Sequence, residues 1–260
     1  MSKKHNKIAP NIIIFDNDEC IGQFGLFSLL YVYARYKEDI YPIDLNILRK
    51  SCVKYLLKDI LRPYVKTLFQ YINLLKKQKK IDYVVMYTSA QNKISKNQSG
   101  YVFFLKKCIE EYCKVKSLYK KVLHRDNVLA LRAKDGATIK DIGNALLTSK
   151  QRKMLYNNNK TALKYIKKAT KNTIMIDDRP YNIIPRSGTI LQVPDYKKSC
   201  SLDNLIKCIN NVPNLKKKLK ILGVYNDILN ECRVNYYRTK NIKDNFMMKI
   251  ANYIKSKYDR

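Results

Sequence analysis

The chain is short of the residues that break or bridge structure. Its 260 residues include seven glycines and seven prolines, and no stretch is rich in either. A long flexible linker is therefore not expected, and no internal repeat is present. Histidine occurs only at His5 and His124, and the seven cysteines (20, 52, 108, 113, 200, 208, 232) form no Cys-x-x-Cys pair. That scarcity argues against a structural zinc site and for free thiols in a reducing compartment: cytoplasm, nucleus or an intracellular assembly. No run approaches the roughly 18 consecutive apolar residues of a membrane span. The apolar stretch after the basic "MSKKHNKIAP" is too short for a signal-peptide core followed by a cleavage site. A soluble chain without a membrane partner is expected.

Negative charge is the most conspicuous shortage. Lys and Arg number 52 against 21 Asp and Glu, a net charge of +31. Two readings of this excess stand open. One is a polyanionic partner: nucleic acid, an acidic or phosphorylated protein, or a nucleoprotein assembly. The other is compositional drift, since Lys, Asn, Ile and Tyr are all abundant, as an A+T-rich genome would produce. Tyrosine reaches 21 while tryptophan is absent, and tyrosines interleaved with lysines could stack on bases.

What is present is a pattern of short apolar runs separated by helical ones. "NIIIF" (11–15), "DYVVMYT" (82–88) and "NTIMI" (172–176) are β-branched, do not alternate, and each ends in a polar turn, as buried parallel strands do. A further strand is expected at "GTILQVPDY" (188–196). Between them "ILRKSCVKYLLKDI", "YVKTLFQYINLLKKQ", "YVFFLKKCIEEYCKVKSLYKK" and "KTALKYIKKATK" have helical periodicity, and another helix starts near Leu202. Alternation of this kind predicts an α/β fold with a parallel sheet covered on both faces. The segments are a basic tail (1–10), one main domain (11–210) and a basic helical C-terminal extension (211–260).

All three strands end in residues suited to one site. The first ends in Asp16-Asn17-Asp18, the second in Thr88-Ser89 and the third in Asp177-Asp178. In an open α/β sheet, ligands bind beyond the carboxyl ends of the strands. Clustered carboxylates repel one another unless a cation neutralises them, and Mg²⁺ takes carboxylates, a carbonyl, waters and a substrate phosphate. A carboxylate could then attack phosphorus, a second could protonate the leaving oxygen, and a hydroxyl and a lysine could hold the phosphoryl oxygens.

In order and context these motifs resemble the haloacid dehalogenase (HAD) superfamily of aspartate-dependent phosphatases. The resemblance implies a HAD-like Rossmannoid three-layer sandwich. It makes Asp16 the nucleophile, Asp18 the general acid/base and Thr88 the phosphate ligand, with Mg²⁺ held by Asp16, Asp18 through its carbonyl, Asp177 and Asp178. The family's lysine precedes its last acidic strand, which points to Lys160, with Lys164 one turn on as the alternate. Within the superfamily, "DNDEC", the Arg62-Pro63 pair of "LRPYVKTLFQYI" and "YTSAQN" are similar to the RNA polymerase II C-terminal-domain phosphatases, also called NLI-interacting-factor-like. That implies a phosphatase acting on protein phosphoserine or phosphothreonine.

There are two departures. Cys20 replaces the family's threonine, and the segment between Thr88 and Lys160 reads as mostly helix where these relatives carry a small β insert. Arg179 and Pro180 read as a charge-balancing arginine and a turn proline, and His124 as a loop residue. Two alternatives to a protein phosphatase remain: a phosphatase on nucleic-acid 3′ ends, and a basic binding or structural component on the same fold, for example in a large DNA virus particle.

Overall fold

A computed structural model describes residues 9–90, 93–95, 98–125, 131–132, 138–146, 160–239 and 244–259. Five parallel strands form the central sheet: β1 (Ile12–Phe15), β2 (Tyr83–Tyr87), β5 (Tyr119–Leu123), β8 (Thr173–Asp177) and β10 (Thr189–Gln192), in the order β10-β8-β1-β2-β5. Minor strands are β3 (Lys93–Ser95), β4 (Gln98–Ser99), β6 (Leu131–Arg132), β7 (Thr138–Asp141) and β9 (Ile183–Ile184). The chain enters at the centre, builds outward through β2 and β5, then returns to build β8 and β10 on the other side. The reversal occurs at β1, so a crevice opens beyond its carboxyl end.

The absence of alternation in β1 has a direct cause: both faces of the sheet are covered. Ile13 and Phe15 lie in the principal core with Val84, Met86, Ile174 and Ile176, whereas Ile12 and Ile14 pack with Val85, Tyr87 and Met175 on the opposite face. The principal face is covered by helices α1 (Gly25–Arg35), α2 (Leu45–Tyr55), α4 (Val65–Lys77) and α5 (Tyr101–Cys113); the short α3 (Leu57–Ile60) leads into α4. Beyond them come α6 (Lys160–Ala169), α7 (Leu202–Asn210), α8 (Leu215–Ile221), α9 (Tyr225–Thr239) and α10 (Phe246–Tyr258).

The expected strands at 11–15, 82–88, 172–176 and 188–196 are all found, as are the helices. One strand of the central sheet has no counterpart in the sequence reading. β5 lies where the helical pattern of "YVFFLKKCIEEYCKVKSLYKK" was expected to continue. The helix stops at Cys113 because Lys114 turns left-handed (φ 57°) and Ser117 follows it (φ 50°). Glu110 secures the break: its carboxylate accepts from the Tyr119 N–H at 3.0 Å. Between Thr88 and Lys160, expected to be mostly helix, the described residues carry one α-helix, one short 3-10 helix (Ile142–Ala145) and five strands.

The C-terminal segment, read from the sequence as an extension, packs into the principal core. Leu215, Leu219, Ile228, Cys232, Met247, Ile250, Ile254 and Tyr258 belong to the same buried cluster as Phe15 and Phe69. α10 lies on α4, and Asp259 reaches Lys80 of the turn after α4 at 2.8 Å. Lys218 is buried, and its ammonium donates to the Ala34 carbonyl at 3.0 Å, satisfying a terminal acceptor of α1. All seven cysteines are buried free thiols. Among the described residues, no helix is long and apolar enough to cross a membrane.

This packing makes α10 a stability element. Ile254→Ala is expected to lower the unfolding free energy by about 2–5 kcal/mol, the cost of emptying a buried isoleucine site. Urea denaturation measures it, and a change within about 0.5 kcal/mol, as for a solvated surface position, would contradict this packing.

Candidate functional site

Register brings the strand ends together. Phe15 pairs with Met86 on one side and with Ile176 on the other. The next residue along β1, Asp16, therefore lies level with Asp177, its N–H donating to the Ile176 carbonyl at 3.0 Å. Thr88 follows β2 on the other flank. A cleft of about 400 Å³ opens over these ends. Asp16, Asp18, Thr88, Asp177 and Asp178, all singled out from the sequence, line it together with Ser89, Arg125, Lys140 and Arg179.

The loop after β1 is a tight turn. Glu19 takes a left-handed conformation (φ 60°), its N–H donates to the Gly22 carbonyl at 2.8 Å, and Cys20 and Ile21 both donate to the Asn17 carbonyl. Gly22 is required: a Cβ there would meet the Ile60 carbonyl at 2.9 Å. Cys20, the departure from the family's threonine, is fully buried and its thiol donates to the Ile176 carbonyl at 3.5 Å. A hydrogen-bond donor is thus kept at this position and ties the Asp16 loop to β8.

Arg62 fastens the same loop from below. Its guanidinium is buried and donates to the carbonyls of Glu19 and Pro194. It faces the Asp244 carboxylate at 3.1 Å and lies 5.0 Å from the centre of the Tyr196 ring. Tyr196 in turn donates its N–H to the Glu19 carbonyl at 2.7 Å. The arginine singled out from its Arg-Pro context therefore acts as a brace between the site loop, the segment after β10 and the start of α10.

The lysine at the centre of the site is Lys140, which the sequence reading missed. Its Nζ is 2.7 Å from both Asp16 Oδ2 and Asp177 Oδ2. It arrives on β7, which pairs in parallel with β9 through Lys140↔Ile183. The next residue, Asp141, holds that strand end in place: it caps the Gly143 N–H at 2.8 Å and forms a two-pronged pair with Arg186. Gly143 lets α6 close over this turn, since a Cβ would come within 2.8 Å of Ile166. Lys160 opens α6, but its side chain lies outside the described residues, and Lys164 is exposed on α6. Nothing in the composition singles out one lysine in so basic a chain; the β-branched "ATIKD" was the only local signal of a strand.

Electrostatically the cleft is the inverse of the molecule. Five acids line it (Asp16, Asp18, Glu19, Asp177, Asp178) against three bases (Arg125, Lys140, Arg179). Burial pushes the Asp16 carboxyl well up, Lys140 opposes the shift, and Asp177 and Asp18 add to it. Burial also raises Asp18 to about 6, and raises Asp178, with Asp177 adding. Lys140 shows the complementary behaviour. Burial works against its charge, but the carboxylates of Asp16 and Asp177 outweigh it and hold the ammonium above the usual lysine value. Arg179 bridges Glu19 at 2.7 Å and Asp178 at 3.2 Å, the charge-balancing part expected of it. Thr88 is buried and its Oγ accepts from the Ala90 N–H at 3.0 Å, leaving the hydroxyl proton to donate. His124 packs edge-on against Phe103 and does not line the cleft.

One oxygen from each of Asp16, Asp177 and Asp178 lies within 4.8 Å of the others. An all-oxygen carboxylate set at this spacing suits a hard divalent cation such as Mg²⁺ rather than a thiophilic metal. Comparison with protein-family models and with curated proteins returned no match.

If these three carboxylates hold Mg²⁺, the ion stabilises the folded protein by mass action, by about 2.7 kcal/mol at a hundredfold excess over its Kd. Thermal unfolding with and without Mg²⁺ is expected to show a rise in midpoint for the wild type and none for Asp178→Asn. An unchanged wild-type midpoint at millimolar Mg²⁺ would rule out this ion as the ligand.

Proposed function

We propose that the chain is a Mg²⁺-dependent phosphatase on a HAD-like fold, hydrolysing a phosphomonoester through an aspartyl-phosphate. The observation that carries the reading is the convergence of Asp16, Lys140, Asp177 and Asp178 at the crevice beyond β1, with Thr88 on its rim. Four of these five residues, Asp16, Thr88, Asp177 and Asp178, are the ones that the strand-end motifs single out. Asp16, Asp177 and Asp178 would hold the ion, which screens the negative charge between an attacking carboxylate and a phosphate.

The residues of the chain divide the rest of the chemistry. A carboxylate oxygen of Asp16 attacks phosphorus, and the bond from phosphorus to the ester oxygen breaks. The leaving oxygen takes the proton of Asp18, whose burial keeps it a competent acid near neutrality. In the second half, the Asp18 carboxylate removes a proton from water. That water attacks phosphorus, and the Asp16 carboxylate leaves as phosphate is released. Lys140 orients Asp16 and offsets charge on the phosphoryl oxygens, and the Thr88 hydroxyl donates to one of them.

The substrate implied by the resemblance to the polymerase C-terminal-domain phosphatases is protein phosphoserine or phosphothreonine. A second reading, a phosphate on a nucleic-acid end, is favoured by the net charge of +31. In that case hydrolysis of a 3′-phosphorylated oligonucleotide would outpace that of a phosphopeptide and fall steeply with salt.

Asp16→Asn is expected to abolish hydrolysis of an aryl phosphate. Asp18→Asn is expected to slow turnover by about 10²–10⁴-fold, the worth of a positioned general acid. Both variants are expected to keep the wild-type fold by circular dichroism. Equal turnover by wild type and Asp16→Asn would refute the proposal, and no turnover by either would favour a non-catalytic role for the fold.

A further inference from the structure

A second depression is lined by basic residues without acids. Shallow and of about 450 Å³, it lies between the end of α7 and α8. Its wall carries Lys216, Lys217 and Lys220 with Asn210 and Asn214, and no acidic side chain lines it. All three lysines are exposed. They belong to the text "NLKKKLK", whose other lysine, Lys218, turns inward to the Ala34 carbonyl. The alternation is forced by the helix: Leu215, Lys218 and Leu219 face the core, which leaves 216, 217 and 220 pointing to solvent.

Aromatic rings are set among these cations. Lys216 and Lys220 both lie over the ring of Tyr225, at 5.9 and 5.8 Å, and Lys217 lies 4.5 Å from the centre of the Tyr41 ring. Lys216 and Lys220 are one helical turn apart, a Cβ separation of about 5–6 Å. Two cations at that spacing beside half-buried aromatic rings match a ligand with repeated negative charges and flat π-faces between them. An acidic peptide repeat and an anionic lipid surface both supply the charges, but neither sets a flat π-face between them.

We propose that this depression is a binding site for single-stranded nucleic acid, with Lys216, Lys217 and Lys220 on the phosphates and Tyr225 and Tyr41 beside the bases. The site is separate from the cleft over β1. α1 links the two, with Gly25 at the cleft and Ala34, at its far end, held by Lys218. At 1.5 Å per residue that is a separation of roughly 14 Å along the helix. The site stands whether or not the cleft turns over phosphate.

The test is fluorescence anisotropy with a labelled single-stranded DNA of about 12 nucleotides, within the usual site sizes for such surfaces. The full chain is compared with a Lys216→Glu/Lys217→Glu/Lys220→Glu variant and with a charge-matched control, Lys58→Glu/Lys249→Glu/Lys255→Glu, at exposed positions elsewhere. The proposal predicts at least about tenfold weaker binding for the first variant only. Its slope of log affinity against log salt should fall by about 2, from three lost phosphate contacts at ~0.7 each. Tyr225→Leu is expected to weaken binding several-fold with the salt slope unchanged. Equal losses in the two triple variants would overturn the proposal, because the affinity would then belong to overall charge. It would also be overturned by unaltered binding in Tyr225→Leu, or by a poly-glutamate peptide or phosphatidylserine vesicles competing as well as unlabelled DNA.

Discussion

The Lys140 ammonium, 2.7 Å from Asp16 and from Asp177, is the contact on which the candidate site depends. Two carboxylates forced to the same level by parallel register would repel in a buried setting, and a cation between them turns that repulsion into a pair of charge-assisted bonds. The lysine is not close to either acid along the chain. It is delivered by a four-residue strand whose partners, β6 and β9, are two residues long each, and so it relies on locks beyond the strand: the Asp141–Arg186 pair, the Gly143 turn and α6 closing over it.

Around that contact the protein separates its charge. The molecule carries +31, yet the cleft is lined by more acids than bases, and the basic excess gathers elsewhere, as in the depression beside α8. A long-range positive field draws polyanions from every direction, while a locally negative pocket rejects an anion unless a cation accompanies it.

The loop carrying Asp16 and Asp18 is held by parts far apart in sequence. Arg62, Tyr196 and Asp244 brace it from one side, and the Cys20 thiol anchors it to β8. The Asp244 contact also explains why the C-terminal helices matter to the site. They bury Met247, Ile254 and Tyr258 in the principal core, so the carboxylate that faces Arg62 is positioned by packing and not by a free tail. A buried arginine left without that carboxylate would be costly, which couples the fold of residues 244–259 to the geometry of residues 16–22.

The apolar runs at 11–15, 82–88 and 172–176 could be read from the chain alone, because a strand buried on both faces needs an unbroken β-branched stretch and its polar end marks where the sheet stops. The acids at those ends followed from the same text. Lys140 and β5 could not be read that way. One is a lysine among many, set in place by pairing with a two-residue strand. The other begins after a left-handed turn made by Lys114 without the glycine that usually announces it. Nor does local sequence show that a segment as basic as 215–258 buries one face, since charge at a helix surface does not reveal which neighbour covers the other side. The sequence by itself determined which residues end the strands and what chemistry they carry. Tertiary structure alone decided which cation meets them, because Lys140 lies 124 positions from Asp16 and 37 from Asp177 along the chain and only the fold brings the three together.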